Sequence, residues 1–320
     1  MRKALKNEVQ PVYQRNIQSL PFGKLLCDYH TYLTEVHGFK ATTISQHLST
    51  IERLLAEALP SNSSLDSLSP QIVEAFIAVT GQRMSRQSLQ HIVAHLRSFL
   101  RFCYYQKALS RRLDTIDSPR TYRGELPPRA LAWGHVLGLL RSIDRSRMNG
   151  CRDHAMLYLM AHYGLRPSEI AALRVDSIDW TSRTLQVEQS KTRSTLVLPL
   201  SDQALRVLKR YLRCGRPGNA RPELFLRQRS PVGPVTLYTV GDVYTKRARD
   251  SGQPLQGTSS YCLRHAFAMR LLTRGVGIKT IGDLLGHRTL ESTCVYLRLQ
   301  TETLREVALP VPYDGNRRQL

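Results

Sequence analysis

Acidic residues are scarce in this sequence. Its 320 residues hold 25 Asp and Glu against 46 Lys and Arg, a formal net charge of +21 at pH 7. With 42% hydrophobic residues the chain has the means to bury cores, so the positive excess belongs to a folded protein and predicts a polyanionic partner, most simply nucleic acid. Other absences narrow the class. No GxxxxGK[ST] stretch occurs, so no nucleoside triphosphate site is expected. The six cysteines (Cys27, Cys103, Cys151, Cys214, Cys262, Cys294) show no CxxC spacing and read as reduced thiols, neither a zinc site nor a redox pair. No apolar run approaches the roughly 18 residues a bilayer span needs, and the opening MRKALKNEVQ lacks the apolar core of a signal peptide. A soluble, cytoplasmic protein without a membrane partner is expected.

The length suits two domains, each with its own core. Residues 1–17 are polar and basic without a period and form an expected arm. A helix is predicted over 19–37, with Leu25, Tyr29, Leu33 and Val36 on one face. Beyond Gly38, Ile44, Leu48, Ile51 and Leu55 repeat at helical spacing, with Thr42 or Thr43 as N-cap. Pro60 to Ser67 is a loop. Ser69-Pro70 pairs an N-cap with proline at the first helical position, launching a third helix that stops at Gly81. Ser85 caps a fourth, where Leu89, Ile92, Val93, Leu96, Phe99, Leu100 and Cys103 follow the 3.6 period. Four amphipathic helices make a small bundle over 18–110. Its polar faces carry Lys40, Arg83, Arg86, Arg97, Arg101 and Lys107, as an ordinary solvated surface or a DNA-facing one. His91 and His95 are i, i+4 neighbours without a third ligand, so they are expected to be plain helix residues and not a metal site.

Residues 111–129, RRLDTIDSPRTYRGELPPR, lose the helical period and read as a basic interdomain linker. A second domain is expected over 130–310, with a tail at 311–320. It opens with a helix containing Val136, Leu139 and Leu140, then an apolar helix from Asp153 to Tyr163. Leu185 and Val187 alternate, Gln189 to Arg193 turns, and Leu196, Leu198 and Leu200 alternate again, which predicts a β-hairpin. Ser201 caps a helix, and Tyr238 to Asp250 is helical, aiming Lys246, Arg247 and Arg249 toward a DNA groove or backbone. The fold class is therefore mainly α with a small β-sheet.

Chemistry concentrates in two places. Gly164-Leu165-Arg166-Pro167-Ser168-Glu169 follows the apolar helix, and Leu263 to Tyr296 holds Arg264, Leu284-Leu285-Gly286-His287 and, nine residues after His287, Tyr296. Arginine offers a planar fork to phosphate oxygens, histidine one further hydrogen bond, and a tyrosine hydroxyl can attack phosphorus to form a covalent intermediate. These motifs resemble those of the tyrosine recombinase, or phage integrase, family. The resemblance implies a SAM-like helical core-binding domain followed by an α+β catalytic domain. It also implies double-stranded DNA with specific recombination sites as partner, a homo-tetramer on DNA, accessory proteins in some systems, and no metal or nucleotide cofactor.

By the same resemblance Arg166 and Arg264 bind the scissile phosphate, His287 donates to it, and Tyr296 attacks it. Lys191, in the hairpin turn, protonates the leaving 5′ oxygen, with Arg193 as local rival. The implied activity is site-specific DNA cutting and rejoining through a 3′-phosphotyrosine, in a recombinase or integrase of a bacterial mobile element. Tyr261 departs from the pattern, standing where the family most often has histidine, three residues before Arg264. A phenol donates a hydrogen bond but accepts a proton poorly near neutral pH. His265, about 100° round the helix from Arg264, is not expected to replace that histidine by proximity. Glu169 either orients Arg166 or serves the helix N-terminus that Ser168 caps. The departure leaves two rivals: a catalytically weakened accessory DNA-binding member, and a type IB topoisomerase-like relaxing enzyme.

Overall fold

A computed structural model describes residues 22–59, 63–120, 130–189, 194–218, 221–230, 232–287 and 289–297. The chain divides into two compact units, Met1–Glu125 and Leu126–Leu320. The arm, the hairpin turn with Lys191 and Arg193, and the stretch after Leu297 lie outside the described residues.

In the first unit the apolar periods become four helices: α1 (Gly23–Glu35), α2 (Ala41–Ala58), α3 (Pro70–Gly81) and α4 (Arg86–Tyr105). Leu26, Tyr29 and Leu33 of α1, Leu48, Ile51 and Leu55 of α2 and Leu96, Phe99 and Leu100 of α4 meet in one core. Two caps act as expected, the Ser69 hydroxyl accepting from the Ile72 N–H at 3.3 Å and that of Ser85 from Ser88 at 3.2 Å. The expected Thr42 or Thr43 cap is corrected. Helix α2 starts at Ala41 with Lys40 as its extended N-cap residue, and the Thr43 N–H already bonds the Lys40 carbonyl at 2.9 Å. A polar seam crosses this core. The Tyr29 hydroxyl lies 2.9 Å from His47 Nδ1 and donates to Ser98, Thr50 lies 2.9 Å from His95 Nδ1, and the two imidazole rings lie 4.1 Å apart, tilted by 37°. His95 thus pairs with residues of α2, while His91 faces solvent.

The start of the basic 111–129 segment packs on this unit. Leu113 is buried, Arg111 donates to the Leu68 carbonyl at 3.0 Å, and Asp114 takes Arg101 at 3.0 Å and Arg112 at 3.1 Å. The Arg112 bond, ahead of the Arg101 bond, pulls the Asp114 carboxyl down to about 2.

The second unit is built around α6 (Met148–Tyr163), whose residues from Gly150 to Ala161 are all buried. Helix α5 (Trp133–Ser142) lies against it, and α7 (Pro167–Ala172) follows it. Three antiparallel strands come next: β1 (Ile178–Asp179), β2 (Thr184–Gln189) and β3 (Ser194–Pro199), in that order across the sheet. The register sets Leu185 against Leu198 and Val187 against Leu196. Leu185, Val187 and Gln189 face inward, so a one-residue slip would expose Leu185 and Val187 at roughly 1.5–3 kcal/mol each. Strand β1 was not expected, because two residues are too few to show a period.

Helices α8 (Asp202–Arg210, capped by Ser201), α9 (Leu237–Asp250), α10 (Tyr261–Thr273), α11 (Ile278–Leu285) and α12 (Glu291–Cys294) complete the described chain. The fold is mainly α with a small sheet, as the sequence predicts. Arg247, expected to reach for DNA, instead holds Asp153 of α6 through two bonds of 2.9 and 2.7 Å, and Asp153 also takes Arg152 at 2.8 Å. The reason is helical phase: Arg247 falls on the face of α9 that packs toward α6, where a buried carboxylate needs neutralising.

Candidate active site

The first motif is explained by its backbone. Gly164 ends α6 in the left-handed region at φ +66°, its N–H bonding the Met160 carbonyl at 3.0 Å. A Cβ there would meet Phe267 at 2.6 Å and Leu285 at 2.8 Å, so both backbone and space require glycine. Leu165 anchors the turn in the core, and Arg166, extended at φ −76° and ψ 153°, opens α7 with Pro167 at its first position. Glu169 performs both tasks left open for it. One carboxylate oxygen accepts the Arg166 backbone N–H at 2.8 Å, and the other takes the Arg166 Nη1 at 2.6 Å. Ser168 is therefore not the cap. Arg166 itself occupies that position, and the proline after it places Ser168 inside the helix.

Arg264 sits on the first turn of α10 and is 5% exposed. Its Nη1 donates to the Gly164 carbonyl at 2.6 Å and its Nη2 to the Leu285 carbonyl at 2.5 Å. The guanidinium thus bridges the C-terminal ends of α6 and α11, where unsatisfied carbonyls favour a cation. Burial, reinforced by the neighbouring Arg166, pulls it down to about 10, which leaves it charged near neutral pH.

Helix α11 ends at Gly286, left-handed at φ +61°, in a Schellman turn: the His287 N–H bonds the Gly282 carbonyl at 2.9 Å and the Gly286 N–H that of Asp283 at 3.0 Å. A Cβ on Gly286 would run into the Gln189 amide at the inner end of β2, so the hairpin strand leading to Lys191 is docked under this turn. His287 leaves the turn with its Nδ1 2.7 Å from the Thr293 hydroxyl. When that hydroxyl donates, the neutral ring keeps its proton on Nε2 as a donor. Burial first, then the charges of Arg264 and Arg166, push His287 down to about 4, so it is neutral near pH 7.

Tyr296 is 2% exposed and packs with Ala268, Leu272, Ile281 and Leu285. Burial raises its pKa, partly offset by Arg264 and Arg166. Its hydroxyl lies 3.0 Å from Nδ1 of His265, a contact outside the expectation, which concerned only whether His265 replaces the missing histidine through its place beside Arg264. The expectation considered α10 alone. Turning 100° from Arg264 carries His265 off the face that meets α6 and α11, and the segment after α12 lies across that next face. No sequence signal joins residues 31 positions apart. Tyr261, at the start of α10, is 45% exposed.

Arg166, Arg264, His287 and Tyr296 are thus linked into one cluster from separate elements. Arg264 bonds the residues preceding both Leu165-Arg166 and Gly286-His287, and Thr293 ties His287 to the segment of Tyr296. Pairing fixed cations with a nucleophile suits attack on an anionic phosphorus centre.

Comparison with known proteins identifies the family and the fold. The sequence model of the phage integrase family matches residues 135–303. The Sinorhizobium fredii protein y4rA, which bears an integrase/recombinase name, is 30% identical over 292 residues, covering 90% of this chain and 70% of its own. Tyrosine recombinase XerD of Lacticaseibacillus casei is 27% identical over 292 residues, covering 88% of this chain and 95% of its own. Among solved structures, lambda integrase as a tetramer bound to a Holliday junction shares the fold with a TM-score of 0.64 at 19% identity, over 88% of this chain and 82% of that one. The match over more than half its length, together with the y4rA relationship, places the chain in its family: it belongs to the phage integrase family of tyrosine recombinases.

Proposed function

We propose that this protein cuts and rejoins double-stranded DNA at specific recombination sites, acting as a tetramer of identical chains assembled on the DNA. The observation that carries the reading is the linkage of Arg166, Arg264 and His287 to the segment bearing Tyr296. In this scheme the two guanidinium groups hold the non-bridging oxygens of the scissile phosphate, and the His287 Nε2–H supplies a third donor. Tyr296 attacks phosphorus, leaving a 3′-phosphotyrosyl linkage and a 5′ oxygen that Lys191 protonates. One phosphoester replaces another, so the 5′ hydroxyl of a partner strand can reverse the step and exchange strands. Tyr261 supplies a weaker hydrogen bond to the phosphate from its place before Arg264. In this reading the bundle of residues 18–110 and the catalytic domain of 130–310 both hold the duplex, and the basic 111–129 segment adds contacts to its phosphates. DNA-bound relatives of the fold, including the tetramer on a Holliday junction, support the partner and the assembly. The biological setting of this reading is the movement of a bacterial mobile element.

Covalent trapping tests the reading. Nicked duplexes from DNA flanking the gene should yield a denaturation-resistant adduct that maps to Tyr296. The Tyr296→Phe variant should bind the same DNA without forming it. Adduct formation by that variant would move the nucleophile elsewhere, to Tyr261 first.

A further inference from the structure

His265 is the residue brought to the nucleophile without an assigned task. Its Nδ1 is 3.0 Å from the Tyr296 hydroxyl oxygen, with the rings 5.6 Å apart and inclined at 56°. Tyr296 is withdrawn from water and His265 is half-buried, so the imidazole replaces solvent as the hydroxyl's partner. The charged and titratable groups around the ring are Arg264 beside it on α10, His287 from the end of α11, and Tyr296 itself. Burial first, and then Arg264, hold His265 below the usual imidazole value, so it is neutral near pH 7 and can offer a lone pair. Tyr261, in the place where a histidine would be the proton acceptor, is a 45% exposed phenol and a poor base.

We propose that His265 is the general base that takes the Tyr296 proton during strand cleavage. The inference rests on the strand-exchange reading above. As the bond from the Tyr296 oxygen to phosphorus forms, the phenolic proton passes to His265 Nδ1. The bond from phosphorus to the 5′ oxygen breaks, its electron pair staying on that oxygen, which gains its proton from Lys191. In rejoining, the imidazolium returns its proton to the departing Tyr296 oxygen. Before attack the transfer is uphill, because burial raises the phenol and lowers the imidazole. Attack reverses this: a phenol oxygen bonding to phosphorus becomes far more acidic, and a bound phosphate favours the imidazolium.

The test measures the rate of adduct formation on a nicked duplex for the native protein and for His265→Ala, His265→Asn, Lys191→Ala and Tyr296→Phe, across about pH 6 to 9. A second duplex carries sulfur in place of the bridging 5′ oxygen, so that departure needs no proton. Loss of a general base should slow His265→Ala by about 10²- to 10⁴-fold with DNA binding retained. Its rate should climb with pH toward the phenol range, while the native rate levels off. The asparagine variant keeps a polar side chain but no base, and it should be equally slow while melting like the native protein. Added imidazole should partly restore His265→Ala. The sulfur substrate should rescue Lys191→Ala and leave the His265 variants slow. Cleavage by His265→Ala within a few-fold of native would overturn the proposal, as would faster cleavage, which would mark the contact as one that only stows Tyr296. Rescue of His265→Ala by the sulfur substrate would also overturn it by moving its role to the leaving group. If the native protein forms no adduct at Tyr296, it is the strand-exchange reading that fails, and the proposal with it.

Discussion

Removing the Glu169 carboxylate separates its two tasks from mere packing. Glu169 is 3% and Arg166 14% exposed at the side chain, so solvent screens their 2.6 Å pair only weakly. Glu169→Ala leaves the Arg166 backbone N–H and guanidinium without their acceptor, and it removes the charge that offsets the Arg166–Arg264 repulsion. Breaking a buried pair from one side costs about 3–5 kcal/mol, which lowers the melting temperature of a unit this size by roughly 6–20 °C. Glu169→Gln is the sharper probe. Its amide oxygen satisfies one donor while its NH₂ faces the other, so about 1.5–3 kcal/mol is expected to be lost, or roughly 3–12 °C. With Arg166 less firmly oriented, adduct formation should fall about tenfold or more, below the 10²-fold or larger loss expected when Arg166 itself becomes alanine. Scanning calorimetry of the full chain, alongside adduct kinetics, provides both numbers. If Glu169→Gln melts and cleaves like the native protein, the account of this carboxylate is wrong.

Other expectations follow from single contacts. Arg247→Ala should destabilise the second unit by about 3–5 kcal/mol because Asp153 loses one of its two cations, whereas Arg249→Ala, exposed beside Asp250, should stay within about 0.5 kcal/mol; equal denaturant midpoints for the two variants would refute the assignment. Gly286→Ala should reduce both stability and cleavage, since a Cβ meets the Gln189 amide at a left-handed residue, and Gln189→Ala should relieve part of the defect in a double-mutant cycle. His47 and His95 are each lowered to about 4, chiefly by burial. Their folded values lie below the unfolded value of about 6.5, so the stability they contribute is complete above that pH and drains away as pH falls toward 4, by at most about 3 kcal/mol per ring. Melting of the first unit should therefore fall between pH 7 and 5, and a flat profile would refute this.

Most of the local structure is legible in the sequence. Apolar residues at helical spacing placed α1 to α4, and Ser69, Ser85 and Ser201 marked helix starts, because a hydroxyl reaches an N–H two or three residues on without help from the rest of the chain. Alternation gave the β2–β3 hairpin and the inward positions of β2, since a strand shows its two faces every second residue. Arg166, Arg264, His287 and Tyr296 were legible as a set because their spacings form a recognisable pattern.

Choices between equally plausible local outcomes were settled by packing between distant parts of the chain. Arg247 and Arg249 look alike in sequence, yet the packing of α9 toward α6 presents one to Asp153 and leaves the other in water. Glu169 could cap or orient, and the bend at Arg166 brings both donors within reach of one carboxylate. Gln189 reads as a strand end until Gly286 is seen lying against it. His265 faces Tyr296 because the segment after α12 crosses α10 one residue round from Arg264. Helical phase fixes which way a side chain points, but what stands there depends on chain tens of residues away, placed by burial of Ile281, Leu285 and Tyr296 itself.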